Sequence, residues 1–172
     1  MKKKLSTLCV TLLVLSIITD VFFLLHGAGL RVNLSSSLPG FLYRAISLPE
    51  NIPLSRGDRV LIDLSRLSNP VIELGVRRGY VSRKQSMLKE IGAVPNDAVA
   101  LKENNLYVNG HCQSITVSSQ DSRGSELFPY PTPLVMSNDS FWLVSDPAQG
   151  FDSRYFGPIN REAFTHIAVS IF

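Results

Sequence analysis

Metal-binding and disulfide-forming residues are scarce in this chain. It has two cysteines and three histidines in 172 residues. Cys9 lies inside an apolar N-terminal run and Cys112 far downstream, so a membrane span would keep them apart. A disulfide between them is therefore not expected. His26, His111 and His166 are scattered and read as ordinary surface or interface histidines. No Cys/His cluster has metal-site spacing, so neither a metal nor a cofactor is expected. The net charge is only +3, and the Lys and Arg residues form no compact face with interleaved aromatics. That argues against nucleic acid as a partner. Internal repeats are absent as well.

A long apolar run is present. Lys2-Lys3-Lys4 precedes Leu5 to Leu25, which is almost wholly apolar. About 20 such residues span a bilayer as a helix. Three lysines lie before the run and only Arg31 soon after it. The positive-inside rule then places residues 1–4 in the cytoplasm and the rest outside. Asp20, near the outer end, can reach the headgroups. A cleaved signal peptide is the rival reading, with Gly27-Ala28-Gly29 as small residues for cleavage. Signal-peptide apolar cores are shorter than this run, which favours an uncleaved anchor. The expected division is a cytoplasmic tip and anchor over 1–29 and one exposed domain over 30–172. That domain, about 140 residues, is large enough for its own core.

The exposed domain reads as mainly β. Phe41–Ile46 and Arg59–Asp63 read as strands, with Arg56-Gly57-Asp58 as the turn before the second. Asn69-Pro70 predicts a helix start, and Gly79 a stop after Arg78. Ser86 to Val94 reads as a buried strand around Lys89. Strands follow at Ala98–Leu101 and Leu106–Val108, then Asn109-Gly110 as a type I′ hairpin turn. Residues 118–125 are a polar loop. Phe141–Val144 and Ile167–Ile171 are late strands. Many short strands with frequent turns predict a folded barrel or sandwich with one or two short helices.

Two residues carry candidate chemistry. Ser37 lies in Asn33-Leu34-Ser35-Ser36-Ser37-Leu38-Pro39-Gly40, just beyond the anchor. A serine hydroxyl is a poor nucleophile until a base takes its proton. No histidine has a persuasive context. A lysine serves if burial lowers its pKa. On a strand, Lys89 shares a face with Met87, Ile91 and Ala93, while Glu90 points the other way. A lone strand lysine also snorkels to solvent, and a lone Ser-Leu-Pro also makes a turn. A third block, Phe151-Asp152-Ser153-Arg154-Tyr155-Phe156-Gly157, places an acid and a base two residues apart, as in a buried ion pair.

In this order the three blocks resemble the serine-lysine signal peptidase family, S26, and most of all its conjugative-transfer branch of TraF-type pilin maturation peptidases. Asn33, Ser35, Ser37 and Pro39, then Tyr43-Arg44, match the serine block. Leu88 to Val99 matches the lysine block, and 152–157 matches the C-terminal block completely. Arg56 to Val60 and Arg78 to Tyr80 match weaker positions. The resemblance implies a signal-peptidase-like fold behind one transmembrane helix. It implies Ser37 as nucleophile and Lys89 as general base. It also implies the Ser37 N–H and the Ser35 hydroxyl as oxyanion donors, and Asp152 as supporting acid paired with Arg154.

The chain departs from the family at three places. Gly150 stands where many members carry a serine that orients the lysine, which would leave Lys89 without that partner. Asn96 replaces a turn glycine but tolerates its left-handed conformation. Gly40 follows Pro39 directly, where the family often has one more residue. General signal peptidases place the serine three before the proline, which makes Ser36 a second candidate nucleophile, while the Ser-x-Pro of the conjugative branch selects Ser37.

The implied activity is processing of a conjugative pilin precursor by a single-pass protein of the bacterial inner membrane, with its catalytic domain periplasmic. Other proteins of the conjugation apparatus are candidate partners. Hydrolysis and cyclisation share one acyl-serine, and sequence does not separate them. Two rivals are a general type I signal peptidase and a non-catalytic anchored component of a conjugative secretion channel. Leu38, Phe41 and Leu42 are read either as contacts to bilayer or substrate, or as core strand.

Overall fold

The computed structural model describes residues 2–33, 38–146 and 150–171. Helix α1 (Lys2–Gly27) contains the expected apolar run. Its large apolar side chains from Val10 to Leu25 are exposed. By length and composition, Cys9–Gly27 is able to cross a membrane. A helix apolar on every side suits lipid better than a half-buried place on a domain surface.

After α1 come β1 (Leu30–Val32) and β2 (Leu42–Ser47), then β3 (Arg59–Ile62). A one-turn 3-10 helix at Leu64–Arg66 leads to α2 (Pro70–Arg77). β4 (Met87–Ala93), β5 (Ala98–Lys102), β6 (Asn105–Val108), β7 (His111–Thr116) and β8 (Leu134–Val135) follow. Then come β9 (Ser140–Val144), the one-turn helix α3 (Ser153–Phe156), β10 (Ile159–Asn160) and β11 (Phe164–Ser170).

The strands form two sheets. The larger has the order β1-β2-β11-β3-β4-β9-β10, the smaller β7-β6-β5-β8. Every pairing among them is antiparallel. The fold is thus mainly β with few helices, as the strand pattern predicts. The last strand inserts between β2 and β3, so the chain's end locks its beginning into the sheet.

Local chemistry explains several boundaries. Asn69 caps α2 by accepting from the Val71 and Ile72 amides, with Pro70 in the first turn. Proline suits that position because its missing N–H would have no helical partner. Asn109 and Gly110 both have positive φ, 50° and 81°, as the tight β6–β7 turn requires. Asn96 has φ 69°, the conformation expected of the residue that replaces glycine there. Beside it, Asp97 accepts from Arg56, from the Val94 amide at 2.8 Å and from Asn109 at 2.9 Å.

Two apolar clusters meet at β4. One gathers Val60, Ile62, Ile72, Ile91, Leu143 and Phe156. The other joins the two sheets through Ala93, Trp142 and Val144 from the larger and Val99, Leu106 and Val108 from the smaller. Alternation along β4 points Lys89, Ile91 and Ala93 inward, while Glu90 is only half-buried and pairs with Arg59 at 3.5 Å. Lys89 therefore occupies a core position of the larger sheet.

Candidate active site

Strand register builds the site. Val60 of β3 stands opposite Lys89 on one side of β4. On the other side, Ile91 pairs with Leu143 and Glu90 with Val144. One further step along β9 brings Ser145 opposite Lys89. Lys89 is 4% exposed and Ser145 1%. The Lys89 Nζ donates to Ser145 Oγ at 3.0 Å. Gly150 does not leave this lysine without a hydroxyl partner. Ser145, which the sequence reading passed over, supplies one from a strand end instead. Its signal is the β4–β9 register, and the residues involved lie more than fifty positions apart.

Ser145 is held in turn by Asp152. Its hydroxyl donates to Asp152 Oδ2 at 2.7 Å and its amide to the same oxygen at 2.8 Å. Arg154 closes the network with Nε on Oδ1 at 2.8 Å and Nη2 on Oδ2 at 2.7 Å. Both residues are fully buried. Arg154 also donates to the carbonyls of Gly150 at 3.1 Å, Ser145 at 3.3 Å, and Thr116. A buried charge pair persists only when the remaining donors and acceptors are met, and here they are.

The rest of the C-terminal block keeps this network in place. Asp152 caps α3 by accepting from the Arg154 amide. Ser153 Oγ accepts from the Leu143 amide at 2.9 Å, fixing α3 to β9. The Tyr155 hydroxyl donates to the Ser118 carbonyl at 3.1 Å. At Gly157, with φ 82°, the Tyr130 ring fills the place a β-carbon would take.

Burial pushes the Lys89 ammonium down from 10.5 to about 8. The Asp152 carboxylate pulls the other way, and the Arg154 guanidinium adds to the depression. An ordinary lysine at pH 7 is neutral in about three molecules in ten thousand, whereas one at about 8 is neutral in about one in ten. Lys89 can therefore act as a base near neutral pH.

A cavity of about 790 Å³ opens over Lys89. Tyr80, Met87, Phe151 and His166 are among its walls, and His26 also reaches it. These two histidines were expected only as surface or interface residues. Ser35 and Ser37 lie outside the described residues, as does Ser36. The flanks of that segment are described. The Asn33 amide donates to the Phe41 carbonyl at 2.8 Å. Its side chain donates to the carbonyls of Leu38 at 3.0 Å and Gly40 at 3.2 Å. The Tyr43 hydroxyl donates to the Pro39 carbonyl. Asn33 and Tyr43, which make these bonds, both line the cavity. Leu38 is buried, while Phe41 is exposed.

The family model for signal peptidase, peptidase S26, matches residues 2–172. The chain belongs to the S26 signal peptidase family. Among curated relatives, the plasmid transfer protein TraF of Escherichia coli is 33% identical over 145 residues, covering 79% of this chain and 78% of that protein. The conjugal transfer protein TraF of Agrobacterium fabrum is 31% identical over 151 residues, covering 84% and 82%. A solved signal peptidase I from Enterococcus faecalis aligns at 18% identity with a TM-score of 0.42, over 67% of this chain and 97% of that one. In this S26 member, the lysine and C-terminal blocks meet in one buried network.

Proposed function

We propose that this chain is a membrane-anchored serine peptidase that processes a conjugative pilin precursor at the periplasmic face of the inner membrane. The observation that carries the reading is Lys89, a buried lysine with its pKa near 8, facing a cavity that Asn33 and Tyr43 also line. The names of the TraF relatives support the conjugative assignment. Helix α1 supports the anchor, and Lys2-Lys3-Lys4 supports a cytoplasmic N-terminus.

In this reading the neutral Lys89 Nζ takes the proton of Ser37 Oγ as that oxygen attacks the scissile carbonyl. The Ser37 N–H and the Ser35 hydroxyl donate to the developing oxyanion, where a single donor is worth roughly 10²–10³ in rate. Lys89 then gives its proton to the leaving amine. Water, or the amine of the pilin itself, releases the acyl group from Ser37. The first route gives a linear product and the second a cyclic one.

Mass spectrometry of the pilin precursor, co-expressed with wild-type, Ser37→Ala or Lys89→Ala protein, tests this. Cleaved or cyclised pilin is expected only with wild type. Processing that survives Ser37→Ala but stops with Ser36→Ala moves the nucleophile by one residue. Rescue of a strain depleted of its own signal peptidase would instead mark a general signal peptidase. Pilus assembly with Lys89→Ala protein would mark a non-catalytic component.

A further inference from the structure

We propose that Ser145 is the positioning residue that aims the Lys89 lone pair, in place of the hydroxyl that residue 150 lacks; this rests on the serine-lysine reading above. The hydrogen-bond polarity carries the inference. Asp152 Oδ2 accepts from the Ser145 hydroxyl, the Ser145 amide and Arg154. A carboxylate paired with a guanidinium only accepts, so the Ser145 proton is committed to it. Towards Lys89, Ser145 Oγ then has lone pairs alone and must accept. A neutral amine has two N–H groups and one lone pair. Ser145 takes an N–H and cannot take the lone pair. The lone pair is therefore kept free for a proton arriving from elsewhere, while the bond holds Nζ in place.

The device is cheap in sequence and exact in register. Ser145 follows the last residue of β9, and the β4–β9 pairing puts it opposite Lys89. Its backbone amide anchors it to the same oxygen as its side chain, so the hydroxyl has little freedom to turn.

The test measures acylation of Ser37 by an activated ester of N-acetylalanine, read as acyl-enzyme by mass spectrometry, across pH 6–10. The proteins are full-length wild type, Ser145→Ala, Ser145→Thr, Lys89→Ala and Ser37→Ala in detergent. Ser145→Ala is expected to lower the saturating acylation rate at least about tenfold, part of the roughly 10²–10⁴ that a positioned base supplies. The loss should persist on the high-pH plateau, with the half-saturating ester concentration unchanged. Ser145→Thr, which keeps the hydroxyl, should restore most of the rate. If Ser145→Ala does not fold, Ser145→Val, which has the shape of the threonine variant without its hydroxyl, is read by the same criterion. Recovery of the full wild-type rate by Ser145→Ala at high pH would overturn the inference, because Ser145 would then only tune a pKa. So would a change confined to half-saturation. Acylation that survives Lys89→Ala would sink the serine-lysine reading itself, which separates the two failures.

Discussion

Asn69 joins the two helices that flank the site: its side-chain oxygen caps α2, while its amide nitrogen donates to the Phe156 carbonyl at the end of α3, at 2.8 Å. One side chain thus sets the start of one helix and the end of the other. Asn69→Ala removes both the cap and the bond to Phe156. A lost cap alone costs about 1 kcal/mol, and with the second bond the expected loss is about 2 kcal/mol. Urea denaturation of the purified protein measures it, and a change under about 0.5 kcal/mol would refute the dual role.

Gly157 is the second stability test. Its φ of 82° lies where side chains are disfavoured, and Tyr130 occupies the space a β-carbon needs. Tyr130 also packs edge-on against buried Trp142, with ring centroids 6.0 Å apart. Gly157→Ala must therefore displace a ring that belongs to the inter-sheet core. The expected cost is at least about 2 kcal/mol, from backbone strain and overpacking together. Thermal unfolding should show it, and Tyr130→Ala in the same chain should relieve the steric part.

How much of this was legible in the sequence depends on the distance over which each feature is decided. The α2 cap, the Asn109-Gly110 turn and the inward face of β4 are local, and each follows from residue type and period. β1, β8 and β10 are two or three residues long, too short for any period to register. β7 is mostly exposed and polar, so it shows no alternation. Ser145 was invisible for a different reason. Nothing around it marks it, and only the pairing of two remote strands makes it a neighbour of Lys89. The Asp152–Arg154 pair lay in plain view, but the carbonyls of Thr116, Ser145 and Gly150 that complete it did not.

Burying Lys89 should weaken the fold at neutral pH. Its folded pKa, about 8, lies below the unfolded value of 10.5. Below pH 8 the lysine is charged in both states, and the native state bears the whole burial penalty. Between about 8 and 10.5 the native lysine is neutral while the unfolded one keeps its proton, so stability from this group rises with pH. Lys89→Met fills the same space without a charge. At pH 7 it is expected to be more stable than wild type by up to about 3 kcal/mol. The difference should shrink as pH rises from 8 to 10. Comparing the two proteins cancels the tyrosines that titrate in the same range. A gap that stays constant with pH would show that Lys89 is not depressed.

The same lysine should set the pH dependence of activity, and Asp152 its position. Acylation needs the neutral amine, so the wild-type rate should rise with pH along a limb centred near 8. The Asp152 carboxylate favours the ammonium and Arg154 opposes it. Asp152→Asn removes the favourable charge and keeps the unfavourable one. The limb should therefore move to lower pH, although the variant keeps a side chain of nearly the same shape. Breaking one side of a buried ion pair typically costs about 3–5 kcal/mol, so the profile is recorded at a temperature where circular dichroism shows the variant folded. At pH 6 the variant would hold more neutral lysine than wild type, yet its plateau should be lower, because Asn can turn its amide N–H towards Ser145 and free that hydroxyl to donate to Lys89. A limb that moves upward would show that Asp152 acts on Lys89 through something other than its charge.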